Sequence, residues 1–409
     1  MFKKSPLAPA RFPVLAPVNG VRVSGIAAGL KESGRPDLFF AELAKGSSVA
    51  GVFTRSKCSS APVDWCRSIL KLGRIRGLIV NSGNANAFTG KAGDRTVECT
   101  VAAASKHLGC RRNEIYVAST GVIGVPVPED YIATKLPDVA KNLGKSNWGD
   151  AASAIMTTDT YPKAAMRKIK IGKADVTIVG IAKGSGMIAP DMATMLSFGF
   201  TDAKIPAPVL QRLLKDAADR SFNSITVDSD TSTSDTTLLA ATGQVRHARI
   251  TKVGDAHLKQ FREGLRDVFV DLATQVVRDG EGAQKFVTID VGGAESAASA
   301  RRIGLAVANS PLVKTAIAGG DPNWGRIVMA VGKAGEKADR DKLSIGMGGV
   351  PITVEGQLVE GYDESVTGSH MAGTRIEITI NVGVGRGKAR VWTCDLTHGY
   401  IQINADYRT

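Results

Sequence analysis

The stretch Lys183-Gly184-Ser185-Gly186-Met187-Ile188-Ala189-Pro190-Asp191-Met192-Ala193-Thr194-Met195-Leu196-Ser197-Phe198 decides how the chain is read. An apolar, β-branched run, Val176 to Ile181, ends just before it. A Gly- and Pro-rich loop follows, and the chain re-emerges as a second apolar strand, Met195 to Phe200, whose preceding hydroxyl residue Thr194 stands behind a small alanine. If the Ala193–Thr194 bond is cut, one residue carries both a hydroxyl and a free α-amine. A threonine hydroxyl is a poor nucleophile, while an α-amine with a pKa of about 7.7 to 8.0 can take its proton near neutral pH. The same hydroxyl can make the cut by attacking the carbonyl of Ala193, giving an ester that water opens.

Outward from this stretch, short β-branched runs alternate with amphipathic helical ones, the pattern of an α/β fold. Strands are expected at Gly77 to Val80, Ile115 to Ala118, Phe286 to Val291, Gly304 to Val307, Ile327 to Val331, Arg375 to Val382 and Ala389 to Cys394. Leu258, Phe261, Leu265, Val268, Leu272 and Val276 keep 3/4 spacing, as do Val209, Leu210, Leu213, Leu214 and Ala217; these are core faces of helices. The last third is strand-rich, with turns at Gly348-Gly349, Gly356 and Gly385 to Gly387, and is expected to form a mixed sheet covered by helices.

Composition narrows the function. With 409 residues, 43% hydrophobic and 22% charged, the chain can bury a sizeable core and is neither fibrous nor disordered. No apolar run approaches the roughly 20 residues of a spanning helix, and Met1 to Arg11 lacks a signal peptide's apolar core, so the expected compartment is the cytoplasm. The net charge of +13 is spread in short pairs such as Lys3-Lys4, Arg111-Arg112 and Arg301-Arg302, and aromatics are only 5%, which disfavours nucleic acid and suits small anionic metabolites. Five cysteines at irregular spacing make no disulfide framework or zinc site; Cys99 and Cys110 flank a helical pattern and are expected as buried thiols. Val382 to Ala389 lacks the spacing and hydroxyl of a phosphate loop and reads as a β-turn between two strands. Asp228 to Thr233 lacks the Gly and Glu of a calcium loop, and five scattered histidines offer no metal-hydrolase or Ser-His-Asp pattern.

The cleavage stretch resembles the self-cleavage site of the ornithine acetyltransferase family, also called glutamate N-acetyltransferases. The likeness runs through nearly the whole chain: Gly51-Val52-Phe53-Thr54-Arg55, Asn81-Ser82-Gly83-Asn84-Ala85-Asn86-Ala87, Ser119-Thr120-Gly121-Val122-Ile123-Gly124, Met156-Thr157-Thr158-Asp159-Thr160, Asp321-Pro322-Asn323-Trp324-Gly325-Arg326 and Ile403-Asn404-Ala405-Asp406-Tyr407-Arg408-Thr409. Two departures stand in the loop 228–235, where Ser229 and Ser234 occupy positions that hold Gly and Asn in many relatives.

The resemblance implies mixed β-sheets layered with helices, of the self-cleaving N-terminal-threonine type, with an α chain 1–193 and a β chain 194–409 sharing one fold and pairing as a heterotetramer. It implies Thr194 as nucleophile, Thr120 and Gly121 as the oxyanion hole, and Thr157, Lys183, Thr194, Glu281, Asn404 and Thr409 as substrate contacts, with no metal. The spacing does not separate Thr157 from Thr158 and Thr160. Lys183 suits a carboxylate and Glu281 an amine, as a zwitterionic amino acid requires. The implied activity moves acetyl from N-acetylornithine to glutamate through an acyl-threonine, with no bound cofactor; the motifs leave open whether acetyl-CoA also serves as donor. An N-terminal-nucleophile aminopeptidase or amidohydrolase, passing the acyl group to water, is the alternative.

Overall fold

The computed structural model describes residues 3–145, 147–189 and 195–406. Three sheets organise them. The first runs Val21–Ile26, Leu38–Leu43, Gly77–Asn84, Ile115–Val122 in spatial order, and the second Ser48–Phe53, Thr236–Ala241, Leu196–Thr201, Ala174–Lys183, Lys163–Ile171. Both are mixed: Gly77–Asn84 pairs parallel with Ile115–Val122, and Leu196–Thr201 pairs parallel with Thr236–Ala241 but antiparallel with Ala174–Lys183.

Period-two alternation explains how these sheets stack. Phe39 turns toward the second sheet, where its ring lies 6.2 Å from Phe198, while Phe40 turns outward, 6.2 Å from the ring of His107 on the helix Gly90–Leu108. Phe198 and Phe200 share one core with the first sheet, Phe200 meeting Trp148 at 5.4 Å. The opposite face of the second sheet, through Val176, Ile178 and Leu239, shares another core with the helices Ala207–Asp219 and Lys259–Arg278. The result is four layers, helix, sheet, sheet, helix. The helix Lys259–Arg278 lies close on the sheet because Gly180 gives it room; a Cβ there would stand 2.7 Å from Leu272.

The third sheet orders Gln357–Leu358, Val350–Val354, Ser344–Met347, Arg375–Asn381, Phe286–Ala294, Gly387–Cys394. Its covered face has a core of its own with the helices Ala297–Ala308, Pro311–Gly319 and Trp324–Gly332. Its other face is open: along Arg375–Asn381, buried Ile376, Ile378 and Ile380 alternate with exposed Arg375, Glu377, Thr379 and Asn381. A closing helix, His398–Asp406, returns from this unit to the paired sheets.

The expected α/β class, the mixed sheets and the two long helical core faces match the structure. Two expected strands do not: Gly304 to Val307 lies inside Ala297–Ala308, and Ile327 to Val331 inside Trp324–Gly332. Ile303 and Val307, like Ile327, Ala330 and Val331, fall on one helical face, which a short apolar run does not reveal. Val382 to Arg386 does join two strands, but they flank Phe286–Ala294, so the connection crosses that strand instead of making a hairpin. Cys99 and Cys110 are half-buried, whereas Cys66 and Cys394 are the buried thiols.

Candidate active site

Strand ends from both paired sheets converge on one cleft. Thr120 and Gly121 end Ile115–Val122, Lys183 ends Ala174–Lys183, and its register partner Leu196 opens the next strand. The cleft, of about 350 Å³, is lined by these residues together with Thr157, Thr158, Glu281 and, from the closing helix, Tyr400 and Asn404.

The corner formed by Thr120 and Gly121 is held by backbone. Gly121 has φ 132°, and a Cβ there would meet the carbonyl carbon of Gly83 at 2.4 Å, so only glycine fits. The pairing slips at Gly83/Asn84, a bulge of the kind that re-aims groups beside active sites. Asn81 and Asn84 brace it: Asn81 Nδ2 donates to the Asn84 carbonyl at 2.8 Å, Asn84 Nδ2 to the Val125 carbonyl at 2.7 Å, and Ser119 Oγ to Asn81 Oδ1 at 2.5 Å.

Lys183, 9% exposed, donates to Thr120 Oγ1 at 3.1 Å and to Thr157 Oγ1 at 2.9 Å. Since a hydroxyl has one proton and two lone pairs, a lysine donating to Thr120 Oγ1 leaves that hydroxyl's own proton for another acceptor. Burial lowers the pKa of Lys183, against the opposing field of Asp159. Across the cleft, Asn404 Nδ2 donates to Glu281 Oε2 at 2.8 Å. Burial raises the Glu281 carboxyl above its ordinary range. That carboxylate sits so close over Gly186 that a Cβ there would be 2.4 Å from it.

Behind these residues lies a buried ionic cluster. Lys163, with no exposed surface, donates to Asp159 and Asp279 at 2.6 Å each. Asp159 also accepts from the N–H of Gly184 at 2.7 Å and of Thr157 at 2.9 Å, tying both lysine-bearing and threonine-bearing segments to one carboxylate. Although burial opposes it, the fields of Lys163 and Lys183 hold the Asp159 carboxyl below its usual range, while burial pushes Asp279 upward. On the far wall, Asp228 accepts from the N–H groups of Met187 and Ile188 at 2.6 and 2.8 Å, fixing the start of the loop that follows Ala174–Lys183.

Of the residues expected at the site, Thr120, Gly121, Thr157, Lys183, Glu281 and Asn404 are brought together; Ala193, Thr194 and Thr409 lie outside the described residues. Among the three threonines, Thr157 faces Lys183, Thr158 bonds Glu281, and Thr160 turns away to Asp279. Asp159, Lys163, Asp279, Asp228 and Asp235 were not singled out by the sequence as site residues. Their signal was present only as polar residues in or beside runs matched to a family, Asp159 in one of them.

Layered mixed sheets with a polar, charge-bearing cleft at converging strand ends define an α/β fold with a candidate active site. The ArgJ family model matches residues 22–409. An arginine biosynthesis bifunctional protein ArgJ from Gluconobacter oxydans is 54% identical over 411 residues, covering 100% of this chain and 97% of its own. One from Mesorhizobium japonicum is 55% identical over 408 residues, covering 99% of each. The crystal structure of arginine biosynthesis bifunctional protein ArgJ from Bacillus halodurans is 36% identical, with a TM-score of 0.50, covering 52% of this chain and 100% of that one. The chain belongs to the ArgJ family, and is with it an acetyltransferase of arginine biosynthesis.

Proposed function

We propose that the chain cuts itself between Ala193 and Thr194 and then transfers acetyl from N-acetylornithine to glutamate by a two-step route. Thr194 Oγ attacks the acetyl carbonyl as its proton passes to the α-amine; Thr120 Oγ1 and the Gly121 N–H receive the oxyanion; ornithine leaves with the proton; glutamate then takes the acetyl group from the acyl-threonine. The observation that carries this reading is the convergence of Thr120, Gly121, Thr157, Lys183, Glu281 and Asn404 on one cleft beside the strand that follows the cut. Lys183 meets a substrate carboxylate, and Glu281, oriented by Asn404, meets its free amine. Thr409 contributes a further polar contact. That a solved relative's whole chain corresponds to half of this one supports a precursor that matures into two pieces.

The proposal also takes acetyl-CoA as a second donor, giving N-acetylglutamate; the word bifunctional in the relatives' names supports a second activity. No cofactor need stay bound. The proposal includes an assembly of two α and two β pieces in the cytoplasm. Intact-mass spectra of the wild type and Thr194→Ala test it: pieces 1–193 and 194–409 are expected from the first and one whole chain from the second. Acetyl transfer that consumes N-acetylornithine equally well without glutamate would assign a hydrolase instead. Native mass spectrometry and cell fractionation check the assembly and compartment.

A further inference from the structure

The cleft has to hold two substrates whose free ends carry opposite charge. With the α-carboxylate at Lys183, N-acetylornithine extends an ammonium toward Glu281 and glutamate extends a carboxylate. The ammonium nitrogen of the one and the carboxylate oxygen of the other are both the fourth atom beyond Cα, so they reach the same point. Among the described residues that line the cleft, Lys183 is the one cation, against Asp228, Asp230, Asp235 and Glu281. An ionised Glu281 suits the ammonium and repels the carboxylate.

The surroundings of Glu281 suit both of its charge states. Its carboxyl is bonded by Asn404 Nδ2 and by the Thr158 hydroxyl, and a protonated carboxyl keeps acceptor capacity for both while adding one O–H. Asp228, whose field reaches Glu281, is committed instead to the N–H groups of Met187, Ile188 and Asp230. Glu281 and Thr158 also line a second cavity, of about 570 Å³, together with Ser185, Asp279, Lys3 and Lys4. Lys3 and Lys4 are exposed, so this cavity opens to solvent and gives the carboxyl access to protons while the cleft is occupied. We infer that Glu281 lets one cleft accept both substrates, ionised against the ammonium of N-acetylornithine and protonated against the side-chain carboxylate of glutamate, to which its O–H donates; the inference rests on the proposed acetyl transfer. The proton comes from water as glutamate enters and returns to water when N-acetylglutamate leaves, so none is consumed over a cycle. Burial and the field of Asp228 favour the neutral form, whereas Asn404, Thr158 and the field of Lys183 favour the ionised one. Tyr400 faces the carboxyl from the closing helix, and Asp279, Lys3 and Lys4 share the second cavity with it. Burial prevails and raises the carboxyl above its ordinary range, from which an ammonium lowers it and a carboxylate raises it further.

Calorimetric titration of the purified protein with glutamate and, separately, with ornithine, in buffers of different ionisation enthalpy, counts the protons exchanged on binding. Both amino acids bring the same α-ammonium, so its contribution cancels in the comparison. Glutamate is expected to take up about one proton per site more than ornithine, and its Kd relative to that of ornithine to rise about tenfold per pH unit. Glu281→Gln, uncharged with either ligand, is expected to erase the difference. Equal proton counts in the wild type overturn the inference, as does a difference that survives in Glu281→Gln. Should the variant not fold, the wild-type count decides alone. A protein that passes no acetyl from N-acetylornithine to glutamate, whatever its proton counts, breaks the reaction reading instead.

Discussion

In the third sheet, the covered face is filled by Val287, Ile289, Ile303, Ile345, Ile376 and Ile378, and its charged residues stand in solvent on the other side. In the paired sheets, an apolar core just as continuous gives way at one end to Asp159, Lys163, Lys183, Asp235, Asp279 and Glu281, all buried. Such groups destabilise a fold unless they are paired, and even paired they rarely improve on apolar packing. Their concentration at one end of one half shows where stability is exchanged for chemistry, and the third sheet supplies the closing helix and little else to the cleft.

The contrast can be broken most forcefully at Lys163. Lys163→Met leaves Asp159 and Asp279 facing each other in the core, and is expected to cost about 3–5 kcal/mol in urea melts and to abolish acetyl transfer. Its stability should recover as pH is lowered, because protonating the carboxyls removes the uncompensated charge; a loss that is flat with pH would show the cluster to be dispensable. In the other half, Ile378→Ala should cost about 2–5 kcal/mol through the cavity it leaves, with kcat and KM unchanged. A kinetic change there would mean that the third sheet is coupled to the cleft.

Glu281 sharpens the comparison through pH. Because burial raises its carboxyl pKa, it gains a proton at a pH above the ordinary value of about 4.3, and only the ionised form holds a substrate amine well. KM for N-acetylornithine should therefore rise as pH falls through that raised value, and Glu281→Gln should give a KM about tenfold higher with that rise removed. The smallest effect is expected at Ser229, which has φ 72°, a region where a side chain is strained. Ser229→Gly should raise stability by up to about 1 kcal/mol, read as a higher melting temperature, with transfer unaffected.

The same contrast governs what could be read from the sequence. Strands rich in Val and Ile, such as Val176 to Ile181 and Phe286 to Val291, declare themselves because nothing but burial explains them. Gly304 to Val307 and Ile327 to Val331 were misassigned because four or five apolar residues fit a strand and one helical face equally. Thr120, Gly121 and Lys183 were legible through the runs around them. Asp235 and Asp228 were not, since acids among Ser and Thr look like a solvated loop, and only the fold shows one of them buried with a free oxygen and the other holding two N–H groups. Lys163 was hidden for the opposite reason: a lysine beginning a strand looks like an exposed charge, and its two acidic partners lie 4 and 116 residues away.

The strand order of the second sheet has a consequence for the life history of the molecule. Ser48–Phe53 flanks Thr236–Ala241, and Ala174–Lys183 flanks Leu196–Thr201, so residues from before and after position 193 alternate in blocks across one hydrogen-bonded layer. A cut at that position severs the chain without freeing either piece, because the two strands of the later piece are held between strands of the earlier one. Before the cut, refolding is a first-order event whose rate ignores dilution. After it, two separate polymers must find each other, so recovery from denaturation becomes second-order and fails in dilute solution. Maturation would thus make folding a one-way passage, with the lifetime of the enzyme set by how slowly the clasp opens.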